Sequence, residues 1–177
     1  MLERCDMNYG EIKNCDIANG IGVRISLFVS GCTHHCKNCF NPETWDFGYG
    51  EEFTTDIQDK IISMLEPEYI SGLTILGGEP FEVSNQEALL PFVKRVREKY
   101  PQKTIWMYSG YTFEELIGNS RARCEHTDEI LSLIDVLVDG KFIEEKKNIT
   151  LKFRGSENQR IIDVKESLKS GKIVLID

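Results

Sequence analysis

Apolar runs rich in β-branched and aromatic residues alternate along this chain with amphipathic runs that carry helix caps, and no other feature limits its fold as strongly. "GVRISLFVS" (22–30) reads as a first buried strand and ends at a cysteine-rich loop. "TDIQDKIISMLEP" places Ile57, Ile61, Ile62 and Leu65 at helical spacing, with Thr55 and Gln58 in capping-box positions and Pro67 ending the run. "LTILGGEP" (73–80) is a second strand, and "SNQEALLPFVKRVREKYP" a second helix with Ser84 and Glu87 as its capping box and a kink or restart at Pro91. "KTIWMYSG" (103–110) is a third strand, "TFEEL" a short helix capped by Thr112, and "TDEILSLI" leads into the strand "DVLVDG" (135–140). In the tail, "ITLKF" and "KIVLI" read as strands, "RGSENQR" as a polar loop and "RIIDV" as a short extended run. Such alternation predicts an α/β fold with a mainly parallel sheet and right-handed crossovers. Ligands in such folds bind at the carboxyl ends of the strands, where the cysteine loop, "GGEP", "YSGY" and "DGK" would gather.

With 177 residues and neither repeat nor low-complexity linker, the chain is expected to form one domain, 1–177. A net charge of −8 repels a phosphate backbone, so no nucleic-acid partner is expected. No run approaches a membrane span and "MLERCDMNYG" lacks a secretory apolar segment, so no membrane partner and a cytoplasmic location are expected. In that reducing compartment clustered cysteines serve as metal ligands or redox catalysts more often than as bridges.

Three of the six cysteines, Cys32, Cys36 and Cys39, form a C-x3-C-x2-C array. A cube of four irons usually takes four thiolates, so three leave one iron open to a small molecule. Two alternatives stand beside this: zinc completed by His34 or His35, and a ferredoxin-type electron carrier. The adjacent histidine would have to fold back for zinc, and Cys5, Cys15 and Cys124 lie far away in sequence, where they read as small apolar residues. His34, His35 and His126 form no triad with a nucleophile; His34 and His35 are candidates for hydrogen bonds that tune a cluster.

The array just after the first strand, followed by "GGEP" after the second, resembles the radical S-adenosylmethionine (SAM) superfamily. The stretch from "CDIANG" to "QRIIDV" further resembles the activating subunits of anaerobic (class III) ribonucleoside-triphosphate reductases, which are glycyl-radical-generating enzymes. That resemblance implies an incomplete (β/α) barrel of radical SAM type holding a [4Fe-4S] cluster on Cys32, Cys36 and Cys39, with SAM on the open iron. It implies that Gly77, Gly78, Glu79 and Pro80 lie along the SAM, the backbone and Glu79 accepting from its ammonium. The position before the third cysteine, often an aromatic that flanks adenine, is Asn38, and Phe40 stands as the substitute. Ser109, Asp139 and Lys141 fall where relatives contact SAM or a cation, against the plainer reading of strand-ending turns. Arg154 and Arg160 are placed to meet the partner or a carboxylate, and "NGIGVR" (19–24) offers Arg24 where other activators carry an arginine. The implied partners are the large reductase subunit, as protein substrate, and flavodoxin or ferredoxin as electron donor. The rival classes are a small radical SAM enzyme acting on a metabolite, such as a deazaguanine-forming one, and a non-enzymatic zinc or electron-transfer module.

Overall fold

The computed structural model of the chain describes residues 6–176. Its strands are β1 (Asn8–Asp16), β2 (Val23–Val29), β3 (Glu51–Glu52), β4 (Ile70–Gly77), β5 (Thr104–Tyr108), β6 (Val136–Asp139) and β7 (Arg160–Asp163). Its α-helices are α1 (Thr55–Met64), α2 (Val83–Lys99), α3 (Phe113–Ile117), α4 (Thr127–Leu133) and α5 (Val164–Ser170). The strands form one mixed sheet in the order β3-β1-β2-β4-β5-β6-β7. Its centre, β2-β4-β5-β6, is parallel as the alternation required, while β1 pairs antiparallel with β2, β3 antiparallel with β1, and β7 antiparallel with β6.

The period of two along the central strands separates two environments. Ile25, Leu27 and Val29 of β2, Leu73 and Ile75 of β4, Ile105 and Met107 of β5 and Leu137 of β6 join the main core with Ile61 of α1, Phe92 and Val96 of α2 and Ile130 of α4. The residues between them, Arg24, Ser26, Phe28, Thr74, Leu76, Trp106, Tyr108 and Val138, belong to the opposite face. Trp106, Val136 and Val138 form a smaller cluster there, joined by Tyr108 and Phe153. None of the helices among the described residues is long and apolar enough to cross a membrane.

Several expected boundaries move for identifiable reasons. The run 22–30 is the second strand, because the polar segment Asn8–Asp16 pairs with it as β1. The cap of α1 is Thr54, whose hydroxyl accepts from Ile57 N, and not Thr55. Ser84 lies inside α2, which starts one residue earlier and has no side-chain cap bond; the preceding Glu82 instead accepts from Thr33 N and Oγ1 at 2.8 and 2.6 Å. The same helix continues through Pro91 as one element. The Thr112 cap holds, with Glu115 closing a full capping box. "ITLKF" is turn and bend, since Phe153 adopts a left-handed φ of 62°, and "KIVLI" contributes only a bridge from Leu175 to Ile162. "RIIDV" supplies β7, and the helix α5 follows it unforeseen.

Candidate functional site

The cysteine loop leaves the end of β2 and is fastened to the segment after it. Gly31 N donates to Thr44 O at 2.7 Å and Cys32 N to Trp45 O at 3.3 Å. Gly31 needs its glycine: with φ +102°, a Cβ there would sit 2.4 Å from the Phe47 ring. His35 and Asn38 adopt left-handed φ of 50° and 56°, so the chain coils tightly between the cysteines; asparagine tolerates that conformation better than most residues. Cys32 is buried, whereas Cys36 and Cys39 are partly exposed. Burial pushes the Cys32 thiol up to about 12, opposed by backbone hydrogen bonds at His34 and His35; burial also raises Cys36, with Cys39 adding to it. A thiolate at such a position needs nearby positive charge, which a coordinated metal provides.

All three cysteines border one cavity of about 640 Å³, within the size usual for small-molecule sites. Gly77, Gly78 and Glu79 border it from the end of β4, Ser109 and Gly110 from the end of β5, and Phe28, Leu76 and Tyr108 from the sheet face. A loop over residues 147–159 forms another wall. Gln159 ties it down, accepting from Gly155 N and Ser156 N and donating to Gly140 O, while Tyr108 Oη donates to Phe153 O at 2.6 Å. Phe40 packs on Phe142 with centroids 4.9 Å apart, and Lys147 lies over the Phe40 ring. Among the lining residues Lys13, Lys147 and Arg154 are cationic, and Glu79 is the one acid.

Glu79 is fully buried and its carboxylate is occupied. Oε1 accepts from Phe81 N at 2.8 Å and Ser109 Oγ at 2.9 Å; Oε2 accepts from Gly110 N at 2.7 Å and meets His34 Nε2 at 2.7 Å. The expectation of a carboxylate waiting for a ligand ammonium thus meets a group already served by the protein. Gly77 and Gly78 are equally constrained from within: a Cβ on Gly77 would meet the backbone of Phe28 and Val29 at 2.8 Å, and one on Gly78 would meet Gly31 O at 2.6 Å.

The donor set suits a multi-iron cluster better than one zinc ion. Zinc draws tetrahedral thiolates to about 2.3 Å from itself, hence into mutual contact. A tetrahedral zinc would also need a fourth donor beside the three thiols. Both histidines of the loop are committed, His34 to Glu79 and His35 to a stack on Trp45 with centroids 4.5 Å apart. A cube spreads its thiolates over separate irons, as three cysteines around one cavity allow.

Comparison with known proteins agrees with this donor set. Residues 18–162 match the family described as "4Fe-4S single cluster domain". The anaerobic ribonucleoside-triphosphate reductase-activating protein of Vibrio cholerae is 44% identical over 157 residues, covering 88% of this chain and 97% of that protein. The proteins of that name from Enterobacteria phage T4 and Escherichia coli K12 are each 40% identical, covering 88% and 86% of this chain and 93% and 96% of theirs. The chain belongs to the anaerobic ribonucleoside-triphosphate reductase-activating protein family. In this member of the family, several expected site residues stand away from the cavity. Pro80 and Asn38 shape the backbone beside it without lining it. Asp139 is buried, accepts from Phe113 N at 2.7 Å and pairs with Arg160 at 2.5 Å; Arg160 also reaches Glu114 at 2.6 Å, and these two carboxylates hold its guanidinium above its usual range. Lys141 is exposed and off the lining.

Arg24 is sealed in the sheet, donating to Thr74 Oγ1, Ile21 O, Thr104 Oγ1, Leu73 O and Thr104 O at 2.8–3.1 Å; burial lowers it to about 10. Of the three arginines singled out, Arg154 alone borders the cavity, with one bond to Gln159 O. His126 precedes α4 beside Glu125, Cys15 is exposed, Cys124 bonds Gln86, and Cys5 lies outside the described residues. The lining residues that sequence reasoning missed, such as Lys13 and Asn148, carry no local motif; strand pairing and loop closure bring them in.

Proposed function

We propose that this chain is a radical SAM activase that installs a glycyl radical on the large subunit of an anaerobic ribonucleoside-triphosphate reductase. The observation that carries the proposal is the convergence of Cys32, Cys36 and Cys39 with Gly77, Gly78 and Glu79 on one cavity at the carboxyl ends of the parallel strands. The names of its relatives point to the same target. In this reading residues 1–177 are one radical SAM domain in the cytoplasm, and the sheet is its incomplete (β/α) barrel. Reduced by flavodoxin or ferredoxin, the [4Fe-4S] cluster supplies cleavage of SAM to methionine and a 5′-deoxyadenosyl radical, which takes hydrogen from a glycine Cα of the partner.

The protein's own part is to hold and exclude. The three cysteines carry the cluster, the backbone at Gly77 and Gly78 lies along the SAM, and Phe40 flanks its adenine. The cationic lining suits a carboxylate, with Arg154 offering a planar fork. Ser109 borders the cavity directly, whereas Asn38, Pro80, Asp139 and Lys141 act one step removed, through the turns that frame it. Loop 147–159 limits the access of water to the reacting atoms.

Reduced protein, SAM and the large reductase subunit should together give a doublet EPR signal on that subunit, with methionine and 5′-deoxyadenosine released. Deuterium placed on the target glycine Cα should appear in the 5′-deoxyadenosine. A reductase that stays radical-free while SAM is consumed, with coupled turnover restored by a small metabolite, would sink the activase reading.

A further inference from the structure

Glu79 joins three strand-end segments through one side chain. Its carboxylate has about four acceptor positions, and four donors occupy them. One is in its own turn (Phe81 N), two are in the turn after β5 (Ser109 Oγ, Gly110 N), and one is His34 Nε2, midway between Cys32 and Cys36. Two backbone N–H groups, one on each oxygen, require the carboxylate to accept, and Ser109 Oγ is itself the acceptor for Tyr111 N, so its proton faces Glu79. With the carboxylate ionised, His34 completes the set by donating from Nε2.

The surroundings of His34 fit a fixed part. Its side chain is 2% exposed, and its ring meets Tyr111 edge-on with centroids 4.5 Å apart. It also fills the place where a Cβ on Gly110 would lie, 2.6 Å from the ring. The turn of Glu79 is knitted to the start of the cysteine loop as well, through Glu79 N to Gly31 O at 2.8 Å and Asn85 Nδ2 to Ser30 O and Glu79 O at 3.0 and 2.9 Å.

We propose that Glu79 and His34 are a positioning pair that clamps the Cys32–Cys36 segment onto the ends of β4 and β5, so that Glu79 acts on the thiolate array and leaves the ammonium of SAM to other acceptors. The proposal rests on the cluster-and-SAM reading of the cavity and deepens it. Glutamine at position 79 would turn one acceptor oxygen into a donor facing two donors. Alanine at position 34 would remove the link to the loop. Glutamine at 34 would retain it, because its amide nitrogen reaches about as far as the imidazole Nε2.

The test compares Glu79→Gln, His34→Ala, His34→Gln and the double variant Glu79→Gln/His34→Ala. Measured are iron per chain, the EPR spectrum of the reduced cluster without SAM, SAM affinity by equilibrium dialysis, and amide exchange of Gly110 in the cluster-free chain. The pair predicts the same altered SAM-free spectrum and at least a twofold loss of iron in Glu79→Gln and His34→Ala. It further predicts no additional change in the double variant, recovery in His34→Gln, and at least tenfold faster Gly110 exchange in Glu79→Gln. A wild-type SAM-free spectrum and iron content in Glu79→Gln, with SAM affinity reduced tenfold or more, would overturn it and make Glu79 a ligand. If the wild-type chain takes up no cluster, the functional reading fails by itself, and unchanged Gly110 exchange in Glu79→Gln would still overturn the clamp.

Discussion

Replacing Gly78 by alanine asks whether that glycine serves a ligand or the protein's own packing. The new Cβ would lie 2.6 Å from Gly31 O and 3.0 Å from Thr44 O, where carbon contacts settle at about 3.5–4.0 Å. Neither carbonyl can retreat cheaply: Gly31 O accepts from Glu79 N at 2.8 Å and Thr44 O from Gly31 N at 2.7 Å. Relief requires parting the 78–79 turn from residues 29–31, which gives up the bonds of Gly78 N to Val29 O and Glu79 N to Gly31 O. Those bonds contribute about 1 kcal/mol each, and overpacking strain adds about 1–3 kcal/mol. The variant should therefore lose about 3–5 kcal/mol of stability, lowering the unfolding midpoint of a domain this long by about 6–20 °C. Thermal unfolding of the cluster-free protein, followed by circular dichroism under anaerobic conditions, measures this without any ligand. A midpoint within about 2 °C of wild type, combined with lost SAM binding, would refute the packing argument and assign the glycine to ligand approach.

Alanine at Cys32, Cys36 or Cys39 should abolish cluster absorption and SAM cleavage, while alanine at Cys5, Cys15 or Cys124 should leave about four irons per chain; iron loss in one of the latter would reveal a fourth thiolate. Arg160→Gln should lower thermal stability and leave SAM affinity within twofold, roughly the noise of a single surface contact, because its partners are Asp139 and Glu114; a tenfold loss of affinity at unchanged stability would return Asp139 to the ligand site. Burial works to raise the Asp135 carboxyl, but Lys165, Ile105 N–H and Arg97 outweigh it and hold it below its usual value. Its stabilisation is therefore present above the unfolded value of about 3.9 and fades as pH falls through the lower folded one. Asp135→Asn should cost about 2 kcal/mol at neutral pH and flatten the acid limb of urea stability, and an unchanged limb would count against this account.

What could be read in advance was what local chemistry dictates. The parallel strands announced themselves because both faces of β2 and β4 are buried, which demands a continuous apolar run. The Thr112 cap was legible because its box is complete within four residues. β1 was missed because its outward residues are polar and it gains its place by pairing with β2, a tertiary effect. α5 is too short and polar to show a stripe, and Phe153 adopts its conformation because the loop closes on Gln159 and Tyr108. At the site, the thiol array and the GGEP turn are contiguous and could be seen. The service of Glu79 to His34, Ser109 and Gly110 joins positions 30 to 45 residues apart, which no spacing rule connects.

The two-sided sheet also bears on how such a chain can change over generations. Along β2, Ile25, Leu27 and Val29 answer to the helices, while Ser26 and Phe28 answer to the opposite face. Selection can redraw the chamber by altering every second residue of a strand without renegotiating the helical packing, and drift can loosen or tighten that packing while the chamber keeps its outline. Arg24 is the exception, since its five donors bind two neighbouring strands and a loop together. Substitutions there should be the rarest on that side of the sheet, whatever substrate the lineage comes to serve.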